Sequence, residues 1–594
     1  MGVAPGASLV EQVFSPFYLQ AEGMLLLMTD SYNNGASLSS NSWGPAGTPQ
    51  GYDNDTMQVD IGVRDADPNA AGNQSLTYVL AFMNGCGGTS TQGAPDEAKN
   101  IFTIGSTNMQ TGSTPNCFGC PGILGINDLS CNTAHGPALD GRTIPHMVAP
   151  GCYVDSSIRN SAHGLKCGTS MACPHVAGAI ALFIEYYRTL PGASSDPSPA
   201  LIKAAFTPVA HGLVGNLDAD GGILGHPFDS KQGWGRMDLE AVVNPQVSAR
   251  YFDNPIIFDN TGEQWVTILA PSHPTQPVRF MLVWTDAPGH GLGGSTPAWN
   301  NDLDLLVEVG ASTYRGNNFG ADGWSQPGGT AEVKNNTEGV FLTQPGAVTV
   351  TVRVLASDIN SDGIPNQGDT TDQDFALICY NCSEDCNING IPDQQDIDTG
   401  TSQDCNSNNI PDECDISGGT SQDCTGNGIP DECEPDCQPN GIADSCDIAS
   451  GASADCNSNG IPDECDISSG TSQDCTGNGI PDDCEPDCNG NGIADSCDIA
   501  TGTSQDCNGN GVPDECDNGC CNPNDCGLLE VCCSNECVEC CDDSDCPGFG
   551  HPYCRLSDHT CICLTDADCG FGGTCLNGTC CSGPACRQQG PQGP

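Results

Sequence analysis

Apolar residues recur along this chain in three rhythms, and each predicts a different kind of structure. A run of small and apolar residues from Ala172 to Phe183 reads as a buried helix, Tyr78-Val79-Leu80-Ala81-Phe82 as a buried strand, and Met24-Leu25-Leu26-Leu27-Met28 as a short core segment. From Val247 to Tyr380 the pattern changes to short runs with turn-rich connections: Val278 to Trp284, Leu303 to Val307 and Val348 to Val354. These predict an antiparallel β-sandwich. From Asp385 onward a 12-residue unit repeats eight times, starting at Asp385, Asp404, Asp423, Asp436, Asp455, Asp474, Asp487 and Asp506. A chain of 594 residues is too long for one core. The expected boundaries are 1–245, 247–380, 384–517 for the repeats, 518–586 for a cysteine-rich module and 587–594 for a disordered tail.

The first region holds the candidate chemistry. Gly168-Thr169-Ser170-Met171-Ala172-Cys173-Pro174-His175-Val176-Ala177-Gly178 joins a small-residue turn to the predicted helix and puts Ser170 at the junction. Free N–H groups at a helix start favour negative charge, so a nucleophile there sits beside its own oxyanion stabiliser. Pro174 is expected in the first turn or so, where its missing N–H costs little. A serine-bearing helix cap would account for Gly-Thr-Ser alone, but not for all eleven residues.

At these residues the chain resembles the subtilisin-like serine proteases, whose serine motif reads glycine, threonine, serine, methionine, alanine, any residue, proline. Other segments follow in the family's order. Met1 to Leu9 resembles its segment entering an inner strand, and Ser39 to Gly44 its substrate-pairing strand, which makes Ser42, Trp43 and Gly44 the candidate substrate-binding residues. Met83-Asn84-Gly85 resembles its alanine-glycine-asparagine element, with Met83 where glycine is usual, and Asn84 is the candidate oxyanion donor. His135 to Arg142, Val148 to Gly151 and Gln232 to Asp238 fit as well. The resemblance implies an α/β parallel-sheet catalytic domain and acyl transfer: Ser170 Oγ attacks a peptide carbonyl while the Ser170 N–H and the Asn84 amide hold the oxyanion.

That hydroxyl needs a base. The family's aspartate and histidine motifs precede the segment that Met1 to Pro5 resembles, so the expectation is an N-terminal truncation of a longer protease, inactive as it stands. Asp398-Thr399-Gly400 spells the aspartate motif but lies inside a repeat, His175 belongs to the serine motif itself, and His135 and His163 lack the motif's remaining residues. The competing expectation is a non-enzymatic extracellular calcium-binding adhesion or spacer protein with a degenerate protease fold.

Charge separates the regions further. The formal net charge is −60, and residues 384–517 carry 31 acidic residues with no lysine or arginine. Nucleic acid is a poor partner for such a surface and cations are good ones. In each repeat, positions 1, 3, 5, 9 and 12 favour oxygen side chains around a glycine at 6, the ligand spacing of a calcium loop. Besides the eight starting aspartates, the candidate ligands are Asp393, Asp412, Asp431, Asp444, Asp463, Asp482, Asp495 and Asp514 at position 9. At position 12 they are Asp396, Asp415, Glu434, Asp447, Asp466, Glu485, Asp498 and Asp517. Connectors of seven residues or one leave no room for paired EF-hand helices and are poor helix formers. The unit resembles thrombospondin type 3 repeats, which implies that calcium and disulfides, rather than a core, hold the stalk in shape. Calcium is thus an expected structural cofactor, with none expected for catalysis.

Of the 41 cysteines, 15 lie in the repeats, mostly at positions 2 and 11, and 17 between Cys520 and Cys586. Such density belongs to an oxidising, extracellular compartment. Whether bridges close within loops or between them is open, and Cys386 is a candidate partner for Cys379 or Cys382. Cys117-Phe118-Gly119-Cys120 reads as a disulfide-stapled loop. In the sandwich, Val283-Trp284-Thr285-Asp286, Asn301-Asp302-Leu303-Asp304-Leu305, Asn335 to Glu338 and Asp374 to Leu377 resemble the β-jelly-roll domain that follows the catalytic domain of some bacterial alkaline subtilases. Asp302 and Asp304 are expected in strand-end hydrogen bonds before cation binding, and Asp358 to Asn366 looks like a ninth, cysteine-free loop. The whole reads as a secreted subtilisin-like endopeptidase acting on proteins or peptides, with a calcium stalk, a disulfide-rich C-terminal module and no membrane span.

Overall fold

A computed structural model describes residues 2–44, 49–89, 93–109, 125–158, 162–190, 193, 195–346, 348–367 and 370–517, with six short strands beyond them. Cys117 to Cys120, most of the cysteine-rich module and residues 587–594 lie outside the described residues. The chain divides into two compact units, one reaching residue 404 with 409–411, the other built from 405–408 and from residue 412 onward.

The first unit opens with α1 (Gly23–Asn33), β1 (Leu38–Asn41), α2 (Asn54–Arg64), β2 (Thr77–Ala81), β3 (Phe102–Asn108), β4 (Met147–Ile158) and β5 (Ala162–Cys167). Then come α3 (Thr169–Tyr187), α4 (Pro199–Phe206) and α5 (Leu239–Val243). Strands β1 to β4 are parallel and adjacent in chain order, and β5 returns antiparallel beside β4. Every residue of β2 and β3 is buried, as strands covered on both faces require. Ala172, Cys173, Val176, Ala177, Ile180, Phe183 and Ile184 bury one stripe of α3 at helical spacing, against Val79, Ala81, Ile104 and Ala149 of the sheet. Residues 2–10, expected to lead into an inner strand, form none; Gly2, Pro5 and Gly6 interrupt the segment and Leu9 is 93% exposed.

Two antiparallel sheets follow in the same unit. They are built from β6 (Ala249–Asp253), β7 (Gln264–Pro271), β8 (Val278–Val283), β9 (Asp302–Val309), β10 (Ser312–Phe319), β11 (Ser325–Pro327), β12 (Thr337–Leu342), β13 (Val350–Asp358), β14 (Ala376–Tyr380) and β15 (Cys382–Glu384). One sheet runs β11-β10-β9-β13-β7-β15 and the other β12-β8-β14-β6. Phe280 and Leu282 face Leu305, Val352 and Val354 in the sandwich core, whereas Met281, Val283 and Ile378 face Phe206 and the α4 helix. Burial on both faces explains why β8 reads as a continuous apolar run rather than an alternation. The sandwich is also locked to the first domain by charge. Arg64 grips both oxygens of Asp374 at 2.7 and 2.6 Å, and Lys99 Nζ lies 2.5 Å from Asp286 Oδ2 with both side chains 1% exposed.

In the repeats the structure corrects the reading of the connectors. Five loops feed a seven-residue helix that begins at position 9: α6 (Asp393–Thr399), α7 (Asp412–Gly418), α8 (Asp444–Ser450), α9 (Asp463–Ser469) and α10 (Asp495–Thr501). Glycine ends them; Gly470, at φ 78°, takes the left-handed conformation after α9. Where the next loop begins after one residue, that residue is Pro435 or Pro486, and only a 3₁₀ turn forms, at Asp431–Cys433 and Asp482–Cys484. Glu434 and Glu485, just before the prolines, are extended, which stops the helix. Beyond residue 530, Val531–Cys533 pairs with Glu536–Val538, Tyr553–Arg555 with Thr560–Ile562, and Gly573–Leu576 with Thr579–Ser582, all antiparallel. Among the described residues no helix is long and apolar enough to cross a membrane.

Candidate active site

Ser170 is the second residue of α3, a helix that starts directly after Gly168, whose φ of 148° is open to glycine but rare for other residues. Pro174 falls at the sixth helical position, beyond the first turn where the sequence placed it. Its ring leaves the Ser170 carbonyl without the usual i+4 donor, and the Ser42 hydroxyl fills the gap at 2.8 Å. Ser170 Oγ in turn donates to the Ser42 carbonyl at 3.4 Å. Ser42, expected among the substrate-binding residues, therefore holds the backbone of Ser170.

Asn84 follows β2 and reaches the same helix start. Its Oδ1 accepts from the Thr169 N–H at 3.1 Å and from Asn132 Nδ2 at 2.6 Å. Two donors on one oxygen fix which end of the amide faces the protein. The NH₂ end has no protein partner among the described residues and is presented beside the free N–H groups at the start of α3. Asn132 is fully buried and is held by Ser130 Oγ, which also meets Ser106 Oγ. No sequence pattern marked Asn132: it lies 48 residues from Asn84 and only the β2 to β4 crossings bring the two together.

The remaining expectations divide. Trp43 stacks edge-on against Phe14, with ring centroids 4.5 Å apart, and donates to Asn41 Oδ1, so its ring serves a local aromatic cluster. A Cβ at Gly44 would come within 3.1 Å of Met83 Sδ, so glycine there makes room for the methionine that departs from the family pattern. His175 Nδ1 donates to the Met171 carbonyl inside α3, as a packing residue would. His135 accepts from the Ala219 N–H, and His163 is exposed beside Asp155. None of the described histidines hydrogen-bonds to Ser170.

Comparison with known proteins shows what this region is similar to. Residues 1–235 match the subtilase family, Peptidase_S8. Pyrolysin of Pyrococcus furiosus is 29% identical over 204 residues, covering 31% of this chain and 14% of that protein. The extracellular serine protease of Serratia marcescens is 29% identical over 205 residues, covering 32% and 17%. Subtilisin of Bacillus pumilus is 30% identical over 103 residues, covering 17% and 30%. The chain thus spans less than a fifth of the length of the first two relatives. Ser170 and Asn84 both lie inside the subtilase domain, and the sandwich and repeats lie beyond the matched residues.

A second group of candidates lies in the repeats. In the loop from Asp455, the first carboxylate accepts the N–H groups of Asn459 and Gly460 at 3.1 and 2.9 Å. Asn457 and Asn459 donate to Asp466 Oδ2 at 3.0 and 2.7 Å. The other oxygen, Asp466 Oδ1, is buried with no partner, and the same holds for Asp396, Asp415 and Asp498 at position 12 of their loops. Position 9 behaves differently: Asp463 Oδ1 accepts the Cys456 N–H at 2.9 Å and so closes the loop. Asp431, Asp444, Asp482, Asp495 and Asp514 do the same in theirs.

The bridges run between loops. Cys405–Cys433, Cys424–Cys446, Cys437–Cys465, Cys456–Cys484, Cys475–Cys497 and Cys488–Cys516 each join position 2 of one loop to position 11 of the next. Cys379 pairs with Cys382, not with Cys386, which is bonded elsewhere. In the sandwich, Asp304 accepts from Ser357 Oγ, while burial and the neighbouring Asp304, Glu332 and Asp358 carboxylates push Asp302 up to about 7. In the expected ninth loop, the Asn360 and Ser361 N–H groups bind Asn301 Oδ1 and tie the segment to the β8–β9 connection.

Proposed function

We propose that the chain belongs to a secreted subtilisin-like serine endopeptidase that cleaves proteins or peptides through an acyl-enzyme. The observation that carries this reading is the Asn84 amide, oriented by Thr169 and Asn132 beside Ser170 at the α3 N-terminus. Ser170 Oγ attacks the scissile carbonyl, its proton passes to a base, and the new oxyanion is met by the Asn84 amide and the Ser170 N–H. Among the described residues no histidine hydrogen-bonds to Ser170, and the mechanism requires a base of the kind that the family's histidine and aspartate motifs provide. The extracellular relatives and the disulfide-bonded repeats support an oxidising, extracellular location. The sandwich, bonded to the domain through Lys99 and Arg64, takes the stabilising role of the jelly-roll it resembles.

The repeats are read as structural calcium sites. The donor set fits a hard cation: carboxylates and amide oxygens line each loop, and the partnerless Asp466 Oδ1 is the type of oxygen that such an ion would satisfy. One observation favours the non-enzymatic alternative, namely that the hydrogen bond of Ser170 Oγ goes to a main-chain carbonyl.

Asn84→Ala separates the two readings. In the protein joined to the base-bearing segment, removing one oxyanion donor should lower kcat by about 10²–10³ with little change in KM. Steady-state peptide hydrolysis measures it, and an unchanged kcat would remove Asn84 from the mechanism.

A further inference from the structure

Position 10 of the repeat was given no role by its sequence, yet it is a glutamate in four loops, and Glu432, Glu464 and Glu515 each reach back into the loop before. Glu464 Oε1 accepts from Gln438 Nε2 at 2.9 Å and from Ser453 Oγ at 2.6 Å. Gln438 is position 3 of the loop that starts at Asp436. Glu432 Oε1 accepts from Asn406 Nδ2 at 3.3 Å and from Ser421 Oγ, and Glu515 Oε1 from Asn489 Nδ2 at 3.5 Å and from Ser504 Oγ. Each contact spans the same 26 residues. Asp483 occupies the same position in its loop and is one methylene shorter. Among the described residues it makes no such bond to Asn457 or Ser472.

The contact bears on what the preceding loop can bind. Gln438 gives its NH₂ to Glu464 and Ser453, which turns its carbonyl oxygen the other way, and that Oε1 is buried with no partner. In the loops reached by Glu432 and Glu515, the position-3 amide is shared between that glutamate and the position-12 carboxylate. Asn406 donates to Asp415 Oδ2 at 3.2 Å and Asn489 to Asp498 Oδ2 at 3.1 Å. Asp415 and Asp498 are at most 1% exposed, and the Oδ1 of each is partnerless. An unsatisfied buried oxygen beside an aligned amide calls for a positive charge.

We propose that the position-10 glutamate is a positioning residue for the cation site of the preceding loop, orienting its position-3 amide and adding negative charge next to it. The inference rests on the cation reading above. Because the same glutamate sits between the position-9 and position-12 acids of its own loop, ordering one loop places the residue that its neighbour needs. The loops therefore fill as coupled neighbours rather than independently.

Equilibrium dialysis of the full chain against radiocalcium, at fixed ionic strength, tests this. Glu432→Ala, Glu464→Ala and Glu515→Ala together should shift three bound equivalents to about tenfold higher free calcium, the usual cost of losing an outer partner of a ligand. All three side chains are exposed, so their truncation removes no core. Asp483→Ala removes the same charge at the same position and should leave the titration in place. Asp483→Glu should restore the missing reach and draw one equivalent to lower calcium. A triple variant that titrates like the wild type would overturn the proposal, as would an Asp483→Ala shift as large as that of each glutamate. Wild-type protein that takes up no calcium would instead sink the cation reading itself.

Discussion

Asp286→Ala is expected to destabilise the first unit by about 3–5 kcal/mol, because it leaves the Lys99 ammonium buried and unpaired. Lys99 Nζ meets Asp286 Oδ2 at 2.5 Å with both side chains 1% exposed, and without the carboxylate it keeps only the neutral Ala287 carbonyl as a hydrogen-bond partner among the described residues. The same carboxylate accepts the N–H groups of Asn300 and Asn301 at 3.0 and 2.9 Å, which fixes the entry to β9. The ion pair thus fastens the sandwich to the subtilase domain and shapes its own loop. Replacing both partners, Lys99→Met with Asp286→Leu, should recover only part of the loss, since it avoids the desolvation of two charges but leaves the Asn300 and Asn301 N–H groups without their acceptor. Arg188–Asp196 serves as the control: its side chains are 58% and 39% exposed, and breaking it should cost less than about 1 kcal/mol. Denaturant midpoints give all three values, and equal small losses for Asp286→Ala and Asp196→Ala would mean that the buried pair does not join the domains.

The second large effect is expected on the stalk. With 31 acidic residues and no lysine or arginine between residues 384 and 517, only bound cations relieve the repulsion, and eight divalent ions would offset about half of it. Chelation with disulfides intact should therefore enlarge the chain's hydrodynamic radius, and calcium at about 10⁻⁴–10⁻³ M should reverse the change. Asp455→Ala with Asp466→Ala should remove about one equivalent of bound calcium, since those two carboxylates take the N–H and amide donors of one loop. Identical scattering profiles with and without millimolar calcium, at fixed ionic strength, would leave the acidic stretch a solvated linker.

What the sequence made legible was local. The apolar run after Ser170 became α3, the run from Tyr78 became β2, and Val278 to Trp284 became β8, because burial imposes its period directly on neighbouring residues. What it could not show was pairing across distance. Asn132 meets Asn84, and Glu464 meets Gln438, through contacts that no single segment encodes. The cysteine spacing was visible, but fifteen cysteines in near-identical loops leave many pairings open, and the position 2 to position 11 rule emerges only when successive loops are stacked. The resemblance of Ser39 to Gly44 to a substrate-pairing strand says nothing of the ring of Trp43, which Phe14 and Tyr18, 29 and 25 residues earlier, draw into their own cluster. Pro174 lies just beyond the first turn, and the Ser42 hydroxyl that compensates for its missing N–H comes from a different strand end altogether.

Fluorophosphonate labelling followed by mapping of the adduct tests most directly the proposal that Ser170 is a nucleophile with no base hydrogen-bonded to it among the described residues. Joined to a segment with the subtilase aspartate and histidine motifs, the protein should carry one adduct, on Ser170, and lose it in Ser170→Ala. The 594 residues alone should react roughly 10⁶-fold more slowly, the scale on which a subtilisin-type site loses kcat without its histidine base. An adduct that persists in Ser170→Ala, or rapid labelling of the 594 residues that depends on one of their own histidines, would contradict the account.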